Sequence, residues 1–250
     1  MKVKWIRAAA AAACLSFAVP TAAFAQETAV SASQEELDRL RSALEQTGSM
    51  TSFDWTADLS SQYSGYGLTI TFDQQSRIQV SGGGTGEMTA LRTDRETALG
   101  ETEETVSFYT GGYYYGEDYG FPMKSQITPE AVLSAMTEDI LAVSGTVVYD
   151  NLAADFPPPS VEQMGEETVY TYVADPEFLA EFSADSEETY TVFAVQLYVG
   201  PDRYVNREKR ELRNTDPEGY ELVVYMDNRL NNPGQPVSIS LPSTAGYEEW

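Results

Sequence analysis

From Phe53 onward, apolar residues recur at every second position, and that period constrains the fold of this chain more than any other feature. Phe53, Trp55, Ala57 and Leu59 alternate with polar neighbours, as do Leu68, Ile70 and Phe72, then Ile78 and Val80. Further on, Val169, Thr171 and Val173 alternate with Tyr170 and Tyr172, and Phe193, Val195, Leu197 and Val199 form the clearest run. Successive side chains on a strand point to opposite faces, so each such run has one face to bury. Gly82-Gly83-Gly84-Thr85-Gly86, Gly111-Gly112 and Asp216-Pro217-Glu218-Gly219 punctuate the runs as turns. Strands joined this tightly must pair antiparallel. Val205 to Arg213 and Tyr220 to Met226 read as two more strands. Val237, Ile239 and Leu241 read as a last short edge strand between Pro236 and Pro242.

Three stretches carry the helical period instead. Ser33 and Glu36 form a capping box ahead of Leu37, Leu40 and Leu44, and Gly48 ends the pattern. Thr128 is placed to cap a helix with Pro129 in its first turn, followed by Val132, Leu133, Met136 and Ile140. Asp175-Pro176-Glu177 starts a third, with Phe178, Leu179 and Phe182 on one side. Each helix has one apolar stripe, and each strand run has one apolar face. The expected fold is α+β: a curved antiparallel β-sheet with the helices packed on its concave face. Pro157-Pro158-Pro159 is stiff, but the strands before it are too few to close a sheet, so residues 33–250 are read as one domain.

Residues 1–25 read as a signal peptide and 26–32 as a short linker. Lys2, Lys4 and Arg7 precede an uncharged apolar run from Ala8 to Val19. Pro20 breaks the run, and Ala23-Phe24-Ala25 forms an A-x-A cleavage pattern. The run is shorter than the about 20 residues of a spanning helix. Cys14 raises lipidation. Three Ala residues precede it and Leu15 to Ala25 stays largely apolar after it, so an unlipidated, exported, soluble protein beginning at Gln26 is expected.

There is no histidine in the chain, and its single cysteine is Cys14. The segment after the signal therefore lacks imidazole and thiol. This removes Ser-His-Asp and Cys-His catalysis, the usual zinc sites and disulfides. Removing three of 15 basic residues and none of 39 acidic ones leaves a charge of −27. Such a chain is unsuited to the phosphates of nucleic acid or to anionic lipid surfaces. Acidic pairs occur at Glu103-Glu104, Glu166-Glu167, Glu187-Glu188 and Glu248-Glu249. Strand neighbours point apart, however, so these read as solvated surface rather than a carboxylate couple. No EF-hand, P-loop or GxSxG pattern occurs. Catalytic residues, metal ligands and cofactors are all read as none, and the protein as not an enzyme.

Two clusters remain. Arg203, Arg207, Lys209, Arg210 and Arg213 crowd into eleven positions, with Arg207, Lys209 and Arg213 on one strand face, and are read as cross-strand pairs with acidic neighbours rather than an anion site. Tyr113, Tyr114, Tyr115, Tyr119 and Phe121 read as strand formers covering a core edge, with a sugar platform as the functional alternative.

Taken with the N-terminal helix and the strands from Phe53, two further stretches carry a resemblance. One is Tyr109-Thr110-Gly111-Gly112-Tyr113-Tyr114-Tyr115 with Lys124 and the Thr128-Pro129-Glu130 helix start. The other is Asn232-Pro233 through Val237, Ile239, Leu241 and Pro242, with Tyr247 and Glu248. The chain resembles the LolA/LolB and LppX-type lipoprotein-carrier superfamily, and most closely exported proteins of Gram-positive anaerobes built on that plan. The resemblance implies a half-open β-barrel with helices lidding an apolar cavity that carries acyl chains or lipoproteins. Many relatives have a convincing lipidation cysteine, which this chain lacks.

The expected function is therefore a non-enzymatic, monomeric, exported protein that binds a hydrophobic small molecule or lipid between sheet and helices. Trp55, Leu68, Ile70, Phe72, Phe108, Met136, Ile140, Phe193 and Val195 are the candidate lining residues, each with plain core packing as its other reading. The competing expectation is a cell-envelope interaction or sensory module with a self-filled core and an envelope protein partner, binding glycans through surface Tyr.

Overall fold

A computed structural model describes residues 30–118, 120–184, 186 and 188–249. The expected signal segment with Cys14, most of the linker, Tyr119 and Glu187 lie outside these residues. In chain order the elements begin with β1 (Val30–Ser31), α1 (Gln34–Gly48), β2 (Phe53–Gly65) and β3 (Leu68–Ser81). They continue through β4 (Thr89–Ala98), β5 (Glu101–Thr110), β6 (Tyr113–Asp118), β7 (Phe121–Gln126) and α2 (Pro129–Met136). A 3-10 turn (Leu141–Ser144), α3 (Thr146–Asp155), β8 (Ser160–Met164), β9 (Glu167–Val173) and α4 (Pro176–Ala184) follow. The chain closes with β10 (Thr189–Val199), β11 (Val205–Thr215), β12 (Glu221–Asn231) and β13 (Glu248–Glu249).

All the described strands join one open, curved sheet in the order β1-β8-β9-β10-β11-β12-β2-β3-β4-β5-β6-β7-β13. Neighbours pair antiparallel except β13, which runs parallel to β7. The early and late parts of the chain meet where β2 pairs with β12, for example Trp55 with Leu230. Two-residue turns set the hairpins: Tyr66-Gly67, Leu99-Gly100 and Gly111-Gly112 each have positive φ at both positions. That is the type I′ geometry whose twist matches that of paired strands.

The caps form as read. Ser33 Oγ accepts from the Glu36 amide, and a Glu36 carboxylate oxygen accepts from the Ser33 amide at 2.7 Å. Thr128 accepts from the Ala131 amide, and Asp175 from the Phe178 amide. One face of the sheet carries the helices. From α1, Leu40, Ala43 and Leu44 pack there with Val132 and Met136 of α2, Ile140, and Val148 and Leu152 of α3. Beneath them lie Phe53, Trp55, Ile78, Val80, Ala90, Tyr109, Tyr170, Tyr172, Val195, Leu197 and Leu230.

Three expectations need correction. Val237, Ile239 and Leu241 are half-buried and alternate with exposed serines, but they form no ladder; the edge strand falls instead at Glu248–Glu249. The flanking prolines hold the segment extended and lack the amides a ladder needs. A fourth helix, α3, and the 3-10 turn before it were not anticipated, because Leu141 to Asp155 carries no strong apolar stripe. Finally, α4 contributes no fully buried residue, so its stripe leans on β10 rather than sealing the core.

Candidate ligand-binding face

The cross-strand register sorts every sheet residue by face. On the helix-covered side, a largely polar row crosses the middle of the strands: Glu208 opposite Asn228, then, across Ala57, Ser76 and Asp94. Glu208 is completely buried. Its carboxylate accepts from the Leu141 amide at 2.9 Å, the Ala142 amide at 2.8 Å and Asn228 Nδ2 at 2.8 Å. Asn228 also donates to the Asp139 carbonyl, as does the guanidinium of Arg210, which sits 3.6 Å from Glu208. From the other side, Arg92 donates to the Met136 carbonyl at 3.0 Å and to Asp139 at 3.2 Å, and it pairs with Asp94. The start of the 3-10 turn offers free amides, which a buried carboxylate satisfies. This polar belt therefore pins the connection between α2 and α3 onto the sheet.

On one side of the belt the interior is closed. Trp55, Ile78, Met136, Ile140 and Val195 are essentially inaccessible, filling the space between sheet and helices with protein atoms. On the other side, the same sheet face continues past the helices. Met226 and Leu59 lie opposite one another, then Leu212, Val224 and Phe72 follow in the next row, and Leu222 and Ile70 in the next. Most of these side chains are half-buried, and they form an open apolar strip. Phe156, Phe178, Phe182 and Phe193 wall its β10 side, with ring centroids 5.2 Å apart for Phe156–Phe178 and for Phe156–Phe193. Phe182 meets Tyr190 edge-on at 4.6 Å. The strip opens at the hairpin tips, where Tyr66, Leu68 and Leu99 are 81%, 64% and 52% exposed. Tyr63 stacks on Tyr220 at 4.9 Å there, and its hydroxyl donates to Asp216, a hydrogen bond that, with burial and then the Asp216 charge, pushes the phenol up to about 12.

The candidate lining residues thus separate into groups. Trp55, Met136, Ile140 and Val195 belong to the closed core. Ile70 and Phe72 lie in the open strip, Leu68 at its mouth and Phe193 in its aromatic wall. Phe108 is on the opposite face of the sheet, where it stacks on Tyr115 at 4.6 Å and meets Tyr247 of the C-terminal segment. The strip also includes Leu59, Leu212, Leu222, Val224 and Met226, which the candidate set lacks. Their alternation was legible, but nothing in the sequence said which strands would lie side by side.

The helix-free face is polar and holds most of the basic cluster. Arg207 pairs across strands with Asp227, which Arg229 also contacts, and Arg213 pairs with Glu211. Burial alone would raise the Asp227 carboxyl, but the hydrogen bonds and charges of Arg207 and Arg229 outweigh it and hold the group at about 2. Burial, and then neighbouring Arg207, lower the Lys209 ammonium below the usual lysine range. Arg210 points the other way, into the belt, and Arg203 sits in a turn with positive φ. A shallow depression of about 500 Å³ is lined by Asp58, Asp73, Gln75, Arg95, Lys209 and Tyr225 of this face, with Leu59 and Met226 also contributing. The consecutive tyrosines divide by strand alternation. Tyr114 packs toward the core, while Tyr113 and Tyr115 take the other face, with Lys124 over the Tyr113 ring. Among the described residues no group of His, Cys, Asp or Glu is arranged to hold a metal ion, and no helix is long and apolar enough to cross a membrane.

No family model matches the sequence, and no curated protein matches it significantly. Solved structures similar to the chain include LprF from Mycobacterium bovis, at 12% identity and a TM-score of 0.44, covering 86% of this chain and 100% of that one. A second is Rv2717c from M. tuberculosis, at 7% identity and a TM-score of 0.26, covering 76% and 98%. A third is a putative outer membrane lipoprotein-sorting protein domain from Vibrio parahaemolyticus, at 9% identity and a TM-score of 0.23, covering 80% and 93%. All three are distant likenesses and say nothing of a ligand for this chain.

Proposed function

We propose that this protein is an exported, non-enzymatic binding protein that takes a hydrophobic chain along the open half of its helix-covered sheet face. The observation that carries the reading is the apolar strip from Leu59 and Met226 to Ile70 and Leu222, which no helix among the described residues seals. Covering it with an acyl chain removes apolar surface from water on both partners, at about 25 cal/mol per Å². The closed core favours this site over the space between sheet and helices, because Trp55 and Ile140 leave no room there. The signal-like N-terminus supports action outside the cytoplasm.

The test is native mass spectrometry of the exported protein, with extraction of co-purifying lipid. Wild type should carry lipid. Phe72→Asp should lose at least about tenfold of it, since a buried carboxylate in the strip lacks a partner. Phe121→Asp, on an exposed residue of β7 outside the strip, should behave as wild type. Wild-type protein that neither carries lipid nor binds added long-chain amphiphiles would reject the reading. The closed core and the exposed apolar hairpin tips would then favour an envelope interaction module.

A further inference from the structure

The apolar strip has a mouth, and the charges around that mouth are of one sign. By register, Glu96, Glu101 and Glu103 stand on the helix-covered face beside Gln74 and Phe72. All three are exposed. Among the described residues the ion pairs use Asp54, Asp94, Asp139, Asp227, Glu208 and Glu211, and none of the three. On the opposite bank α4 carries Glu177 and Glu181 and no basic residue; α2 and α3 carry none either. The strand cations of this face, Arg92 and Arg210, are engaged in the belt. The rest, among them Arg77, Arg95, Arg207 and Lys209, lie on the other face by the same register. The sheet thus sorts its charge, with an apolar floor and free carboxylates on one side and the cations on the other.

The tips of the mouth carry a second mark. Tyr66 and Leu99 occupy type I′ positions with φ of 51° and 57°, where Asn, Asp or Gly avoid the clash a larger side chain meets. Both are large, apolar and exposed. Two adjacent hairpins therefore place apolar groups in water at positions the backbone disfavours, where an arriving apolar chain would meet them first.

Resting on the binding reading above, we infer that the ligand is a cationic amphiphile: an apolar chain lying on Phe72, Ile70, Leu59 and Met226, with a positively charged head held at the rim by Glu96, Glu101 and Glu103. An anionic head, as in a fatty acid or acidic phospholipid, would meet uncompensated carboxylates on both banks. Like charges there repel; the strand cations of this face are engaged in the belt, and Arg39 and Arg41 sit on α1 over the closed core rather than at the rim.

The experiment compares three probes with one chain length, each below its micelle concentration: dodecyltrimethylammonium, dodecylphosphocholine and dodecanoate, titrated calorimetrically. The cationic probe should bind tightest, by on the order of tenfold over dodecanoate at low salt, as a few exposed charge pairs would produce. The gap should close at high salt. Because the whole chain is acidic, the decisive variant is E96Q/E101Q/E103Q, against the equally neutralised control E117Q/E162Q/E166Q. Loss of the preference in the rim variant and its retention in the control support the inference. Equal binding of all three probes, or a preference that survives the rim variant, overturns the head-group inference and leaves the apolar strip standing. Failure of every probe to bind overturns both.

Discussion

Glu208 is the residue on which the most polar structure depends. It is buried, yet it accepts from two amides of the 3-10 turn and from Asn228, with Arg210 beside it. Glu208→Ala leaves those donors and the guanidinium without a carboxylate and is expected to cost about 3 kcal/mol. The measurement is the urea midpoint at constant slope. A loss below about 1 kcal/mol would mean that water takes over the carboxylate's bonds. Asp227 tests electrostatics at the surface. Its folded pKa of about 2 lies below the ordinary 3.8, so its contribution is present above the unfolded pKa and lost as pH falls through the folded one. Asp227→Asn should therefore melt below wild type at neutral pH. That gap should narrow between about pH 4 and pH 2. A gap of constant size across that window would place the effect in packing rather than charge.

Hairpin tips and α4 set what the elements can do. Leu99 stands at φ 57°, half in water, in a turn that Asn would occupy without the same clash. Leu99→Asn is expected to raise stability by about 1 kcal/mol, read from thermal melting. A fall would show that Leu99 packs against something that stabilises the fold more than the strained turn costs. The helix α4 is held by aromatic contacts to Phe193, Phe156 and Tyr190 and buries no residue completely. A helix attached by one half-buried stripe opens at lower free energy than the strand beneath it. Helix α4 flanks the strip on its β10 side.

Across the whole molecule the acidic residues outnumber the basic ones by 24 in the full chain, and the cations that exist are concentrated on one sheet face. The unpaired carboxylates repel one another, so moderate salt should raise the melting temperature at neutral pH by screening them. Melting that does not move with salt would mean that the charges are already dispersed far enough apart. The closed core and the open strip belong to one continuous sheet face, divided by the belt at Glu208, Asn228 and Arg210. The same layout that gives the protein its stability leaves the far ends of β2, β3 and β12 half-buried and open on that face among the described residues.

The sequence by itself determined the strand period, the helix caps at Ser33, Thr128 and Asp175, and the cross-strand partners of the basic run in outline. These rest on local chemistry: alternation needs only neighbouring residues, and a cap needs only a side chain within three positions of its amide. Tertiary structure alone decided that Trp55 and Phe72, on one face of one hairpin, have different surroundings. Helices α1, α2 and α3 cover the Trp55 end of that face, whereas α4 only flanks the Phe72 end beside Phe193. Tertiary structure alone decided that Tyr109 rather than Phe108 faces the helices, and placed Glu208 beside Asn228 under a turn more than sixty residues away in the chain. Which strands neighbour one another, and where the helices end above them, depends on long-range pairing that no local period encodes. The open strip exists only because that pairing extends the sheet beyond its cover.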